Sequence, residues 1–253
     1  MADWNPENYL RHADERSRPF ADLLARVPGS PRTIIDLGCG PGHLTRLLRH
    51  RWPGAEVVGV DSSPAMIDRA RRDDPDGTYQ LADLRGFEPP APLDLVLSNA
   101  TLQWVPEHRT LLPRLTSMVA PGGSFAFSVP GNHDAPSHTI LREVAAREPY
   151  RDLTTSVARP SAFDPEQYLD DLAHPGWSVD AWETTYLHVL QGEDPVFTWI
   201  AATGARPVLD ALPAPLRDDF TTDLQEALRA AYPARPYGTP LAFRRVFAVA
   251  TRV

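Results

Sequence analysis

The chain has 253 residues, 42% hydrophobic and 23% charged, which is enough to bury a sizeable core and suits one folding unit with insertions better than two independent domains. A formal net charge of -8 argues against a general nucleic-acid binder, and Cys39, the only cysteine, excludes an intrachain disulfide. No window approaches the ~20 apolar residues of a membrane span, and Met1-Ala2-Asp3-Trp4 carries no basic and then apolar signal region, so a cytoplasmic location is expected.

Asn5-Pro6 reads as a helix start, and Leu10, Phe20, Leu23, Leu24 and Val27 continue it to Pro28-Gly29. Strand one is predicted at Thr33 to Leu37 and a helix at His43 to Arg51, broken by Trp52-Pro53-Gly54. Strand two runs from Glu56 to Val60, with Ser63-Pro64 opening a helix to about Arg72; strand three covers Thr78 to Leu81. Leu93 to Ser98 is a near-continuous apolar run, as expected of a strand buried on both faces. Leu111, Leu115 and Val119 mark a helix stopped by Pro121-Gly122-Gly123 before strand five at Ser124 to Val129. Five strands alternating with helices imply a parallel sheet with right-handed crossovers. Beyond Pro130 the pattern turns helical to Gly176. Trp177 to Leu190 and Pro240 to Val253 alternate as strands six and seven, and Val196 to Ala202, Val208 to Leu212 and Leu216 to Tyr232 read as helices between them. The expected fold is α/β, a doubly wound, seven-stranded, mostly parallel sheet in one domain over 1–253. A helix in 1–30 covers the site, and helical insertions at 131–176 and 191–239 form the substrate side.

The chemistry concentrates at Ile34-Ile35-Asp36-Leu37-Gly38-Cys39-Gly40-Pro41-Gly42, a strand, a glycine turn and the start of a helix. Glycines there let backbone approach a nucleotide-like ligand, but the turn alone leaves the cofactor open. The carboxylates narrow it. Asp36 precedes the first glycine, and Asp61 and Asp83 end strands two and three, so three acids surround one cleft. That arrangement disfavours a polyphosphate and suits a ligand with an ammonium group, ribose hydroxyls and an adenine, which is S-adenosyl-L-methionine. Asp36 is the expected partner of the ammonium, Asp61 of the ribose hydroxyls and Asp83 of the adenine amino group. Gly38, Gly40 and Gly42 face the amino-acid part, and Ser62, Leu84, Asn99, Gln103 and Trp104 complete the cofactor set. Cys39 reads as a small loop residue, with nothing basic spaced to activate it.

The motifs Asp36 to Gly42, Gly59 to Ile67, Ala82-Asp83 and Ser98 to Trp104 closely resemble the class I methyltransferases. Asp3-Trp4-Asn5-Pro6, Tyr9-Leu10, Glu15 to Pro19, Ala202 to Pro207 and Leu241 to Arg245 extend the resemblance to the trans-aconitate 2-methyltransferase family over nearly the whole chain. The resemblance implies methyl ester formation on a carboxylate of a small tricarboxylic acid. An ionised carboxylate is already a nucleophile, so alignment and desolvation carry the catalysis and no catalytic side chain is expected. Countercharge is required, and arginine supplies it bidentately. Arg206 and Arg245 stand in stretches that resemble the family and rank first as substrate-binding residues, followed by Arg16, Arg18 and Arg244. His12, His138, Tyr186 and Trp199 are further hydrogen-bonding or wall candidates. His133 and His138 lack a third ligand at a metal-site spacing and read as surface histidines, so no metal is expected. The implied partners are a small carboxylic acid, with no nucleic acid and no membrane, and the chain is expected to be a monomer or homodimer. A larger natural-product acceptor, or cofactor binding without catalysis, are the competing readings.

Overall fold

The structure, a computed structural model, describes residues 13–253, with side chains from Arg18 onward. The proposed start at Asn5-Pro6 and residue His12 lie outside the described residues, as does the side chain of Arg16. The chain divides into two compact units. A sheet unit comprises 13–130, Ala162–Thr184 and Arg245–Val253, and a helical unit comprises Gly131–Ser161 and Thr185–Arg244.

In the sheet unit, α1 (Ala13–Ala25) precedes β1 (Thr33–Leu37), α2 (His43–Arg51), β2 (Glu56–Asp61), α3 (Pro64–Asp73), β3 (Thr78–Leu81) and β4 (Leu93–Asn99). α4 (Leu112–Ser117) and β5 (Val119–Pro130) follow, and α7 (Pro165–Leu172) also belongs here. Local chemistry explains the starts and stops. Pro64 occupies the first turn of α3 while Ser63 Oγ accepts from Met66 N at 3.4 Å, and Gln167 Oε1 accepts from Asp164 N at 3.0 Å where α7 begins. The sheet has seven strands in the order β3-β2-β1-β4-β5-β7-β6, where β6 is Trp177–Leu190 and β7 is Thr239–Arg252. β1 to β5 are parallel and β7 runs antiparallel to β5, as a doubly wound, mostly parallel sheet requires.

Two boundaries differ from expectation around Pro121-Gly122-Gly123. Val119 belongs to β5 rather than to the preceding helix, which ends at Ser117. Leu93 pairs with Val119, the register then jumps, and regular pairing resumes at Leu95 with Ser124. The three residues are an excursion inside the strand, with Gly122 at φ +79, so they do not serve as a plain helix stop. The core of this unit gathers Leu37, Val96, Phe125, Phe127, Tyr168 and Val246, among others.

The helical unit contains α5 (Pro136–Ala145), α6 (Arg151–Thr154), α8 (Pro195–Ala201), α9 (Arg206–Ala211) and α10 (Ala214–Ala231). Phe220, Leu224 and Leu228 recur every four residues on α10, giving one buried stripe that joins Leu141, Val144, Trp199 and Ile200 in a separate core. No described helix is long and apolar enough to cross a membrane.

Candidate active site

The carboxyl ends of β1, β2 and β4 carry the cofactor candidates. Gly38, Gly40 and Gly42 all have positive φ, at +79, +56 and +79, which explains glycine at each. Their surroundings differ. A Cβ on Gly38 would lie 2.1 Å from Thr101 Oγ1 and one on Gly42 would lie 2.5 Å from the Tyr79 hydroxyl, whereas one on Gly40 meets no atom within 4 Å. Gly40 therefore presents bare backbone to open space, a cradle that a ligand can fill.

Asp36 is 2% exposed, and one of its oxygens accepts from Thr45 Oγ1 at 2.7 Å. Burial pushes its carboxyl up from the ordinary 3.8 to about 6; the threonine hydroxyl opposes this and the nearby Asp61 charge adds to it. Asp61 bridges the loop to β2, since its Oδ2 accepts from Gly40 N at 2.9 Å and its Oδ1 from Ser63 N at 2.8 Å. Burial raises its pKa, and the backbone donors of Ser63, Gly40 and Ser62 lower it. A buried and a partly buried carboxylate beside a glycine turn call for a cationic, hydroxyl-rich ligand, and this set of acceptors fits S-adenosylmethionine.

The remaining cofactor candidates divide. Asp83, two residues beyond β3, is held in a fork by Arg85, which pulls its carboxyl below the ordinary value. The Leu84 side chain is buried in the core of the sheet unit, and Ser62 is exposed. Asn99 Oδ1 accepts from Ser128 Oγ at 2.5 Å, while Ala100, at φ +56, turns the chain out of β4. Gln103 is 4% exposed; its Nε2 donates to Ala100 O at 2.6 Å, and its Oε1 is buried without a hydrogen-bond partner. Trp104 is partly buried.

Tyr79 is a residue that sequence reasoning missed. Its hydroxyl donates to Asp74 Oδ2 at 2.5 Å, Arg49 pairs with the same carboxylate at 2.5 Å, and its ring fills the space left by Gly42, Gly59 and Gly77. Removing the hydroxyl in Tyr79→Phe is expected to cost about 1–3 kcal/mol of stability, measured by denaturant unfolding, because a buried carboxylate loses a donor. Thr45 and Thr101 were missed as well, and only the spacing of Thr45 from Asp36 across one strand-turn-helix unit offered a signal.

On the substrate side, Arg245 is 4% exposed and pairs with Pro130 at the carboxyl end of β5. Asn99 of β4 lies opposite Ser128 of β5, so the sheet register places Arg245 at the same edge as the glycine loop. Arg206, in the helical unit, ion-pairs with Asp210 one turn along α9 at 3.3 Å. Arg244 donates to Gly131 O at 3.1 Å, and Arg18 is exposed. Trp199, the wall candidate, is 2% exposed in the helical core, with His188 and Phe243 around its ring. Tyr186 is equally buried. His133 and His138 are not surface histidines. Their partly buried rings pack edge to face at 5.6 Å, because Asn132 and Ser137 also turn inward there. Among the described residues no group of three or more His, Cys, Asp or Glu is arranged to hold a metal.

A model of the methyltransferase domain matches residues 9–180. The trans-aconitate 2-methyltransferase of Streptomyces avermitilis is 51% identical, covering 99% of this chain and 97% of its own. That of Methylobacterium nodulans is 44% identical over 100% and 99%. Among solved structures, the plantazolicin methyltransferase BpumL, in complex with a pentazolic desmethylPZN analog and SAH, superposes with a TM-score of 0.57 at 14% identity, covering 97% of this chain and 88% of that one, a likeness of fold. With a glycine cradle, Asp36 and Asp61 beside it, and 44–51% identity to these relatives along nearly the whole chain, the chain belongs to the trans-aconitate 2-methyltransferase family and uses S-adenosylmethionine as its methyl donor.

Proposed function

We propose that the protein forms a methyl ester on a carboxylate of trans-aconitate or a similar small polycarboxylic acid. The observation that carries this reading is the place of Arg245, a guanidinium buried at the sheet edge that also bears the glycine loop. An arginine there supplies the countercharge that a polyanionic acceptor needs and that a neutral acceptor would not. The relatives' names point to the same acid.

S-adenosylmethionine supplies a methyl group on a positively charged sulfur that leaves as a neutral thioether. The acceptor's carboxylate oxygen provides the electron pair of the new O–C bond, the C–S bond breaks with its pair retained on sulfur, and no proton moves. Accordingly, no side chain has to act as general base. Asp36 holds the ammonium group, and Asp61 holds the ribose hydroxyls while bracing the loop through Gly40. Gln103 offers its buried Oε1, and Asp83, already forked by Arg85, lies toward the adenine end. Arg245 orients the acid, and alignment is the main catalytic contribution.

Arg245→Met keeps volume and removes charge. It is expected to raise KM for trans-aconitate about 10- to 100-fold, with KM for the cofactor held within about twofold. Label transfer from the cofactor to a panel of acids reads both constants. Transfer only to larger or neutral acceptors would point to a natural-product methyltransferase, and cofactor binding without transfer to any acceptor would remove the enzymatic reading.

A further inference from the structure

The strand order reverses between β1 and β4: the chain runs outward from β1 to β2 and β3, then returns to β4 on the other flank of β1. A ligand crevice lies outside the carboxyl ends of the strands at such a reversal. Its two walls touch in this sheet unit, where Ser98 Oγ donates to Leu37 O at 2.9 Å and Thr101 Oγ1 to Gly38 O at 3.2 Å. Gln103 stands on the β4 wall, in the short turn after Ala100. Ala100 leaves β4 in the left-handed region at φ +56, where its N–H donates to Ser128 O at 2.8 Å and its carbonyl accepts from Gln103 Nε2 at 2.6 Å. The second bond orients the amide, because only the NH2 end can face a carbonyl and an inverted amide would set two acceptors together. The end left over is therefore the oxygen. Gln103 is 4% exposed, and its Oε1 is buried with no donor. A buried acceptor in that condition destabilises the folded chain until something positive meets it.

The sulfur of S-adenosylmethionine joins the ribose, proposed above for Asp61 at the end of β2, to the amino-acid part, proposed for Asp36 and the glycine loop at the end of β1. Its third substituent is the methyl group, which shares the positive charge of the sulfonium. With β1 and β2 given to the other two substituents, the wall that remains for the methyl is that of β4. The geometry points to Gln103 as the residue that meets it: Oε1, fixed through Ala100, sets a partial negative charge against the methyl and its sulfonium. An amide suits this place better than a third carboxylate would. It attracts a cation without the desolvation cost of another buried charge, and its oxygen is too weak a nucleophile to take the methyl for itself. The inference rests on the cofactor site and is independent of which acceptor receives the methyl.

Calorimetric titration with S-adenosylmethionine and with S-adenosylhomocysteine, which lacks both the methyl and the charge, reads this contact without turnover. Gln103→Met keeps the length of the side chain and removes the amide. Affinity for S-adenosylmethionine should fall about 5- to 10-fold, while affinity for S-adenosylhomocysteine stays within about twofold. A loosened Ala100 turn would weaken both ligands alike, so equal losses, or no loss, overturn the assignment. The wild-type protein offers a second measurement if the variant does not fold. With the glutamine side chains labelled with carbon-13, the Cδ resonance of Gln103 should move on addition of S-adenosylmethionine and much less on addition of S-adenosylhomocysteine. A resonance that responds to both ligands equally, or to neither, overturns the contact. The acid enters neither experiment, so loss of this contact leaves the polyacid reading intact, and loss of that reading leaves the contact intact.

Discussion

Asp36→Asn is expected to make the cofactor-free protein more stable and the cofactor-bound protein weaker. A carboxyl with a folded pKa of about 6 against an unfolded value of 3.8 stays protonated longer in the folded chain. Its contribution to stability is therefore fully present below pH 3.8 and lost as pH rises through about 6. Above that, ionising it in place costs about 3 kcal/mol. Asparagine keeps an acceptor for Thr45 and removes the charge, so the variant should melt higher at pH 7.5 and lose the pH dependence between 4 and 6. In the proposed site the same charge meets the cofactor's ammonium. Cofactor affinity should fall on substitution by about 10- to 100-fold, and in the native protein it should decline as pH drops below about 6. Calorimetric binding at several pH values, beside thermal unfolding of both proteins, reads all of this. A variant that binds cofactor normally would remove Asp36 from the ammonium site.

Alanine at Gly38 and at Gly40 is expected to separate folding from binding. Both positions have positive φ, where a side chain costs about 1–2 kcal/mol. At Gly38 the new methyl also overlaps Thr101, 2.1 Å from its Oγ1, so Gly38→Ala should be strongly destabilised. Gly38→Ala with Thr101→Ala should regain the overlap part and keep the backbone strain. At Gly40 the methyl meets no protein atom, so Gly40→Ala should fold with only the backbone cost yet bind cofactor poorly, because the methyl enters the space the loop opens. Chemical unfolding and cofactor binding on the three proteins make the comparison. Equal loss of stability at 38 and 40 would mean that the loop's glycines serve the fold alone.

The strands were legible because a parallel sheet buried on both faces leaves continuous apolar runs, as in Leu95-Val96-Leu97, and the glycine loop was legible because one local segment holds all its residues. Asp61 was legible too, as a strand-end acid beside the glycine loop, where its Oδ2 accepts from Gly40 N. What eluded the sequence depends on partners far along the chain. The register jump between Leu93 and Leu95 turns a sequence that resembles a helix stop into part of β5. In sequence Trp199 reads as well for a wall as for a core, and its burial beside Phe243 shows only in the fold. His138 looked like a surface residue because neither Asn132 turning inward nor Gly204, 66 positions later, shows in its own neighbourhood. Ala100 carries no compositional sign of its left-handed backbone.

The packing of Tyr79 against Gly42, Gly59 and Gly77 makes four scattered positions a single unit of volume. Across homologous sequences, enlargement at 59 should occur only together with a smaller residue at 79, whereas enlargement at 77 also crowds Asp74 and Arg49; an exchange at 79 would also deprive Asp74 of its hydroxyl donor and leave Arg49 as its remaining partner. Position 42 cannot join the exchange freely, since its backbone at φ +79 disfavours any side chain. The result is an evolutionary ratchet: once a tyrosine occupies 79, the three glycines are held in place by steric necessity, and a designer who wishes to recast this side of the cofactor loop must change the ring first.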